Sequence, residues 1–189
     1  MALPPLSNEP QRHPQCCLSM STGLINNLVS QIVLTPRTEQ GPILSIGSGS
    51  GFVEAYLLET FAILPQDHSH HGLLIEGVEV SSPAPMNEYL PEECTHIVNG
   101  TWDLCSRAEA ASTLLFIYPR TPTLLYKYLE AFVKPEGKIV LVVWLGPRAD
   151  WVDFGPCLDG LPGFVEPIVI EDCGLAEYEM MSIVRKIVT

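Results

Sequence analysis

Apolar positions along the chain fall into two kinds of run, and the alternation between them predicts the fold. In 18–34, Leu24, Ile25, Leu28, Ile32 and Val33 recur at helical spacing. After Pro42 the run Ile43-Leu44-Ser45-Ile46 reads as a short buried strand. A helix over 52–64 follows, stopped by Pro65. Further along, 73–80 predicts a strand, 84–90 a short helix, 95–98 a brief strand and 106–111 a helical turn. The segment 113–118 is another buried strand, 122–133 a helix, and Pro135 with Gly137 turns the chain into the strongest strand, 138–144. Continuous apolar strands alternating with helices predict an α/β fold, with a doubly wound, mainly parallel sheet covered on both faces. The end differs. Segments 165–171 and 179–187 are strand-like, and a join this short requires an antiparallel β-hairpin, because a parallel crossover needs a dozen residues or more.

Composition narrows this picture. Residues 1–17 carry Pro4, Pro5, Pro10 and Pro14 and lack the apolar stretch of a secretory signal, so they are expected as a flexible arm before a single domain over 18–189. The longest apolar run, 139–146, is too short to cross a bilayer. With 22 acidic residues against 10 basic ones the formal net charge is −12, which disfavours both a phosphate backbone and an anionic membrane surface. Six cysteines without a CxxC pair read as reduced thiols of a cytoplasmic protein, with the nucleus a second option. The cluster Asp67, His68, His70 and His71 sits in a loop away from the strands' carboxyl ends. It is expected as a solvated turn, and no metal site is assigned.

Candidate chemistry concentrates where the first parallel strand ends. Ile46 runs into Gly47-Ser48-Gly49-Ser50-Gly51 and then directly into a helix. Such glycines permit a tight turn and close ligand approach, and the helix start is expected to offer free N–H groups to a polar or anionic group. The spacing is neither the G-x-G-x-x-G of dinucleotide enzymes nor a P-loop. Glu79, ending the next strand in Gly77-Val78-Glu79-Val80, can accept two hydrogen bonds from a ribose diol.

With these residues the chain resembles the class I S-adenosylmethionine-dependent methyltransferases. The likeness continues through Val98-Asn99-Gly100-Thr101-Trp102-Asp103, the strands 114–118 and 137–144, and the terminal strand. It covers residues 18–189. The resemblance implies a Rossmann-like, seven-stranded sheet with strand seven antiparallel, and S-adenosylmethionine as cofactor along the carboxyl edge. By position, Gly47, Ser48, Gly49 and Gly51 would line the amino-acid part of the cofactor. Glu79 would hold the ribose, Val80 would flank the adenine, and Thr101, Trp102 and Asp103 would lie near the adenine edge. Tyr118 would face the sulfonium or substrate, and Arg120 could hold a substrate carboxylate.

Three departures from the family pattern keep two readings open. Ser45 stands where the family usually has an acid two residues before the first glycine, Thr101 where it often has Asp, and Tyr118-Pro119-Arg120 replaces Asn/Asp-Pro-Pro-Tyr. One reading is a methyltransferase acting on a small molecule or a protein side chain. The other is a non-catalytic relative serving as a binding or partner subunit. Little of the chain is left for a substrate lid, so a homo- or hetero-oligomer completing the pocket is expected. A nicotinamide dehydrogenase is disfavoured by the glycine spacing and the terminal hairpin.

Overall fold

The computed structural model describes residues 3–36, 41–64, 73–81 and 87–187. The chain begins with an antiparallel ribbon, β1 (Gln11–His13) and β2 (Cys16–Met20), and enters α1 (Thr22–Val33). Then follow β3 (Ile43–Ile46), α2 (Phe52–Ile63), β4 (Ile75–Val80), β5 (Thr95–Val98), β6 (Thr113–Ile117) and α3 (Pro122–Phe132). The chain ends with β7 (Leu141–Pro147), α4 (Trp151–Leu158), β8 (Ile168–Ile170) and β9 (Glu179–Arg185). Seven strands form one sheet in the order β5-β4-β3-β6-β7-β9-β8. The first five are mutually parallel, while β9 pairs antiparallel with β7 on one side and β8 on the other.

Strand alternation sorts the apolar residues into two cores. Ile43, Ile75, Leu115, Val143 and Ile183 point toward α1 and α2. Leu44, Val78, Phe116, Val142 and Trp144 point toward α3 and α4. Trp144 is fully buried beside Trp151 and Phe154, so Trp144 and Trp151 serve packing.

The structure corrects several expectations. The N-terminal stretch is not a free arm as far as it is described. Leu3 and Leu6 pack on the α1–α2 core, Leu18 and Met20 lie inside it, and His13 stacks on Phe52 with ring centroids 4.1 Å apart. Residues 18–20 are strand rather than helix. The helix starts after Ser21, whose hydroxyl accepts from the Leu24 N–H (3.0 Å) as an N-cap. Strand β7 begins at Leu141 instead of residue 138, and α4 was not expected. Of the short helix expected over 84–90, the described residues 87–90 form no helix, with bends at 88–90, and the rest lies outside the described residues, as does the histidine cluster at 67–71. All six cysteines are free thiols, and burial pushes that of Cys16 up to about 12. Among the described residues no helix is long and apolar enough to cross a membrane.

Candidate cofactor site

The parallel strands end together at one edge, and the glycine loop lies there between β3 and α2. Gly47, Gly49 and Gly51 adopt φ of 78°, 58° and 76°, a left-handed conformation that side chains strain. At Gly47 and Gly49 a Cβ would meet nothing within 4 Å, so this side of the loop is open. Gly51 differs, since its Cβ would lie 2.9 Å from the Leu90 side chain and 3.1 Å from the Leu90 nitrogen. Gly77 on β4 is required for space, because a Cβ there would sit 2.5 Å from Ser48 Oγ.

Four of the loop's five N–H groups are used within the protein. Those of Gly47 and Ser48 donate to the Val78 carbonyl (2.8 and 3.1 Å), and that of Gly51 to the Ser48 carbonyl (2.9 Å). The Gly49 N–H donates to Glu79 Oε2 (2.7 Å), while Glu79 Oε1 accepts from the Val80 N–H (2.8 Å). Each oxygen of an ionised carboxylate has a second lone pair, so Glu79 retains two acceptor positions.

Residues 87–90 clasp the loop from outside. Asn87 N–H donates to the Gly49 carbonyl (3.0 Å), Tyr89 N–H to that of Ser50 (3.1 Å), and Ser48 Oγ to Asn87 Oδ1 (2.8 Å). Asn87 is only 7% exposed with φ of 58°, and its buried Nδ2 has no partner. The ribbon adds Gln15, whose carbonyl accepts from Ser50 Oγ (2.7 Å).

Under the loop, Ser45 donates to Glu54 Oε1 (2.5 Å) from within β3. Glu54 stands in the first turn of α2 and is 1% exposed. Burial pushes its carboxyl up to about 7, the bonds from Ser45 and its own N–H oppose this, and the charge of Glu79 adds to it. A carboxyl group therefore does lie beside Ser45, delivered by the helix.

On the neighbouring strand at the same edge, Tyr118 follows β6 with φ of 49°, its N–H held by the Leu145 carbonyl (2.7 Å). Its hydroxyl donates to Glu179 Oε1 (2.6 Å), and burial together with that carboxylate pushes the phenol well above its ordinary range. Glu179 is 1% exposed and also accepts from the Ser19 N–H (3.1 Å), the Ser19 hydroxyl and the Ala176 N–H (3.3 Å). It borders a cavity of about 250 Å³ together with Arg148, whose guanidinium bonds the Glu177 carbonyl (3.0 Å) and pairs with Glu171 (3.4 Å). Arg120 is exposed two residues beyond Tyr118.

The residues expected near the adenine follow β5, whose end is tied to that of β4 by the Ser81 N–H and the Val98 carbonyl (2.8 Å). Val80 is half-buried and Thr101 exposed. Trp102 is 66% exposed and lies over Gly100. The Asp103 carboxylate closes its own turn by accepting from the Asn99 N–H (3.1 Å) and Nδ2 (3.0 Å). The structure thus brings Gly47, Ser48, Gly49 and Glu79 into direct contact and leaves Thr101, Trp102 and Asp103 on the neighbouring strand's turn. Glu54, Asn87 and Glu179 escaped the sequence reading. Glu54 offered one signal, a single acid among apolar residues at a helix start.

No protein-family model and no curated protein matches the sequence. Among solved structures, the plantazolicin methyltransferase BpumL, in complex with a triazolic desmethylPZN analog and SAH, is similar over 86% of this chain and 83% of that one (TM-score 0.57, 11% identity). The CcbJ methyltransferase from Streptomyces caelestis is similar over 87% and 95% (TM-score 0.52, 12% identity). The S-adenosylmethionine-dependent methyltransferase SibL is similar over 86% of this chain, which spans 55% of that protein (TM-score 0.51, 16% identity). The chain has the class I methyltransferase-like fold, a Rossmann-like α/β sheet with a terminal antiparallel hairpin.

Proposed function

We propose that the chain is an S-adenosylmethionine-dependent methyltransferase acting on a small molecule or a protein side chain. One observation carries the reading: in a fold shared with methyltransferases, the glycine loop is open at Gly47 and Gly49 beside a strand-end carboxylate with two acceptor positions left. The residues fit an adenosyl cofactor. Gly47, Ser48 and Gly49 leave room for its amino-acid part, Glu79 accepts from the ribose diol, and Val80, Thr101, Trp102 and Asp103 bound the adenine. When bound, the cofactor supplies a methyl group on a sulfonium, an electrophile that asks chiefly for alignment with the nucleophile.

Tyr118 borders the place where the acceptor meets that methyl group. Its hydroxyl is committed to Glu179 and held protonated, so it positions the acceptor and takes no proton from it. Arg120, exposed at the rim, holds a substrate carboxylate. A partner subunit or a second copy completes the open side of the pocket.

The alternative, a non-catalytic binding subunit, is favoured by the clasp of residues 87–90 over the loop. Calorimetric titration with S-adenosylmethionine and S-adenosylhomocysteine separates the two. Binding that disappears in Gly49→Val and Glu79→Ala, followed by transfer of a labelled methyl group to a component of a cell extract, is the expected result. No heat at millimolar ligand removes the enzyme reading.

A further inference from the structure

We infer that the outer edge of β8 is a docking site for an extended basic segment of another protein, which adds to the sheet as an eighth strand. The inference goes beyond the cofactor reading and does not depend on it. Strand β8 stands at the end of the seven-stranded order and is paired with β9 on one side only. A strand paired on one side presents unused backbone N–H and C=O groups along the other. Strand alternation places Val165, Ile168 and Ile187 on one face of the sheet, the face on which Arg185 reaches Gln31 of α1 and Thr35 beyond it. All three apolar side chains are exposed, so an apolar strip lies uncovered beside the free edge.

Free edges are commonly guarded by charges and proline. Here Pro167 guards one position, and the charged guards all have one sign: Glu166 before the strand, Glu171 and Asp172 after it, each exposed. Arg148 pairs with Glu171 (3.4 Å), whereas Glu166 and Asp172 have no ion-pair partner among the described residues. The two cations near the strip are engaged elsewhere, Arg185 with Gln31 and Thr35, and Lys186 with the Gly137 carbonyl (2.6 Å). A second copy fits badly at this edge. Pairing two β8 strands antiparallel about Val169 sets Glu166 against Asp172 and Pro167 against Glu171, and like charges placed opposite destabilise a ladder. The sheet's other edge, β5, follows Glu92 and Glu93, so pairing it with β8 brings no complementarity either. A segment with an apolar centre and lysine or arginine at both ends meets acids at each end of β8 in either strand direction, and its centre covers the strip.

Fluorescence anisotropy of the full chain with three labelled nine-residue peptides tests this. The first alternates valine and threonine between a pair of lysines at each end. The second carries glutamates in place of the lysines, and the third is the lysine peptide N-methylated at alternate central amides. N-methylation keeps the charge but removes strand pairing, so it separates docking from mere attraction to an acidic protein. The native chain is expected to bind the lysine peptide with a dissociation constant below about 1 mM, at least tenfold more tightly than either of the others. In Ile168→Lys that binding is expected to fall at least tenfold, while Thr123→Lys, an equal charge change on exposed α3 surface, stays within twofold of the native chain. No binding of the lysine peptide at millimolar concentration overturns the inference, as does equal binding of the glutamate or the N-methylated peptide. An unchanged affinity in Ile168→Lys shown folded by circular dichroism, or an equal fall in both variants, overturns it too. Should Ile168→Lys not fold, the three peptides on the native chain decide alone.

Discussion

The Tyr118 hydroxyl donates to Oε1 of Glu179 across 2.6 Å, joining the end of β6 to the start of β9 over 61 positions of sequence. Glu179 gathers further donors from Ser19 on β2 and Ala176 in the β8–β9 connection. One buried carboxylate therefore ties the N-terminal ribbon, the terminal hairpin and the carboxyl edge together. A buried acceptor with several donors is far costlier to remove than any one of its partners, because every donor is then left unpaired.

This asymmetry predicts the effect of two substitutions. Tyr118→Phe leaves Glu179 with its backbone and serine donors and should cost about 1 kcal/mol of stability. Glu179→Ala strands the Ser19 N–H and the phenol, leaves the Ala176 N–H with Ser19 Oγ alone (3.1 Å), and should cost about 3 kcal/mol. Urea unfolding at neutral pH measures both, and equal costs would contradict the hub role of Glu179.

The three loop glycines should separate stability from binding. Gly49→Ala meets open space, so its cost is the left-handed backbone alone, about 1 kcal/mol, while the methyl group enters the proposed ligand path. Gly51→Ala adds a collision with Leu90 and should cost about 3 kcal/mol. The expected outcome is a folded Gly49→Ala that loses at least tenfold in S-adenosylhomocysteine affinity, and a Gly51→Ala whose main defect is a lower melting temperature. Thermal unfolding and calorimetry on the same samples check it.

A second ionic cluster lies between β4 and β5, away from the loop. Glu76 is buried and accepts from Arg107 Nε and Nη2 (both 2.6 Å) and pairs with His96 Nε2 (2.6 Å). Burial alone would raise this carboxyl, but the bonds and charge of Arg107 and His96 outweigh it and hold it below the ordinary 4.5. A depressed acid contributes stability that is present above pH 4.5 and lost as pH falls through the lower folded value. Arg107→Ala should cost about 2 kcal/mol at neutral pH by leaving Glu76 with one partner. Glu76→Gln should flatten the acid limb of stability below pH 4.5, measured by urea unfolding across that range.

The parallel sheet and the glycine loop are legible in the sequence because each rests on a local signal: unbroken apolar runs, alternating glycines, and Glu79 ending its strand. The ribbon is not, because Leu18 and Met20 enter the apolar count of the helix that follows, and the period changes only at the Ser21 cap. Helix α4 is hidden by Gly155 and Pro156 within it. At the site, Ser45 signals a missing acid, whereas the Glu54 that lies beside it sits nine residues on. Only the turn of the glycine loop brings that pair together, and no spacing rule connects them.

That pair makes the last prediction, on the opposite side of the pH scale from Glu76. Glu54 is held at about 7 against an ordinary value of 4.5, so the native state keeps its proton where the unfolded chain has released it. A raised acid contributes stability at low pH that is lost as pH rises between these two values and is level above the upper one. For a carboxyl this deeply buried the loss is of the order of 3 kcal/mol. Glu54→Gln keeps an acceptor for Ser45 without the charge. Its stability should match the native chain near pH 5 and exceed it at pH 8, where the native carboxylate is ionised in an apolar setting. Urea midpoints of the two proteins at both pH values decide it: a variant no more stable than the native chain at pH 8 would mean that Glu54 is stabilised as a charge, with the helix start and the Ser45 hydroxyl outweighing its burial.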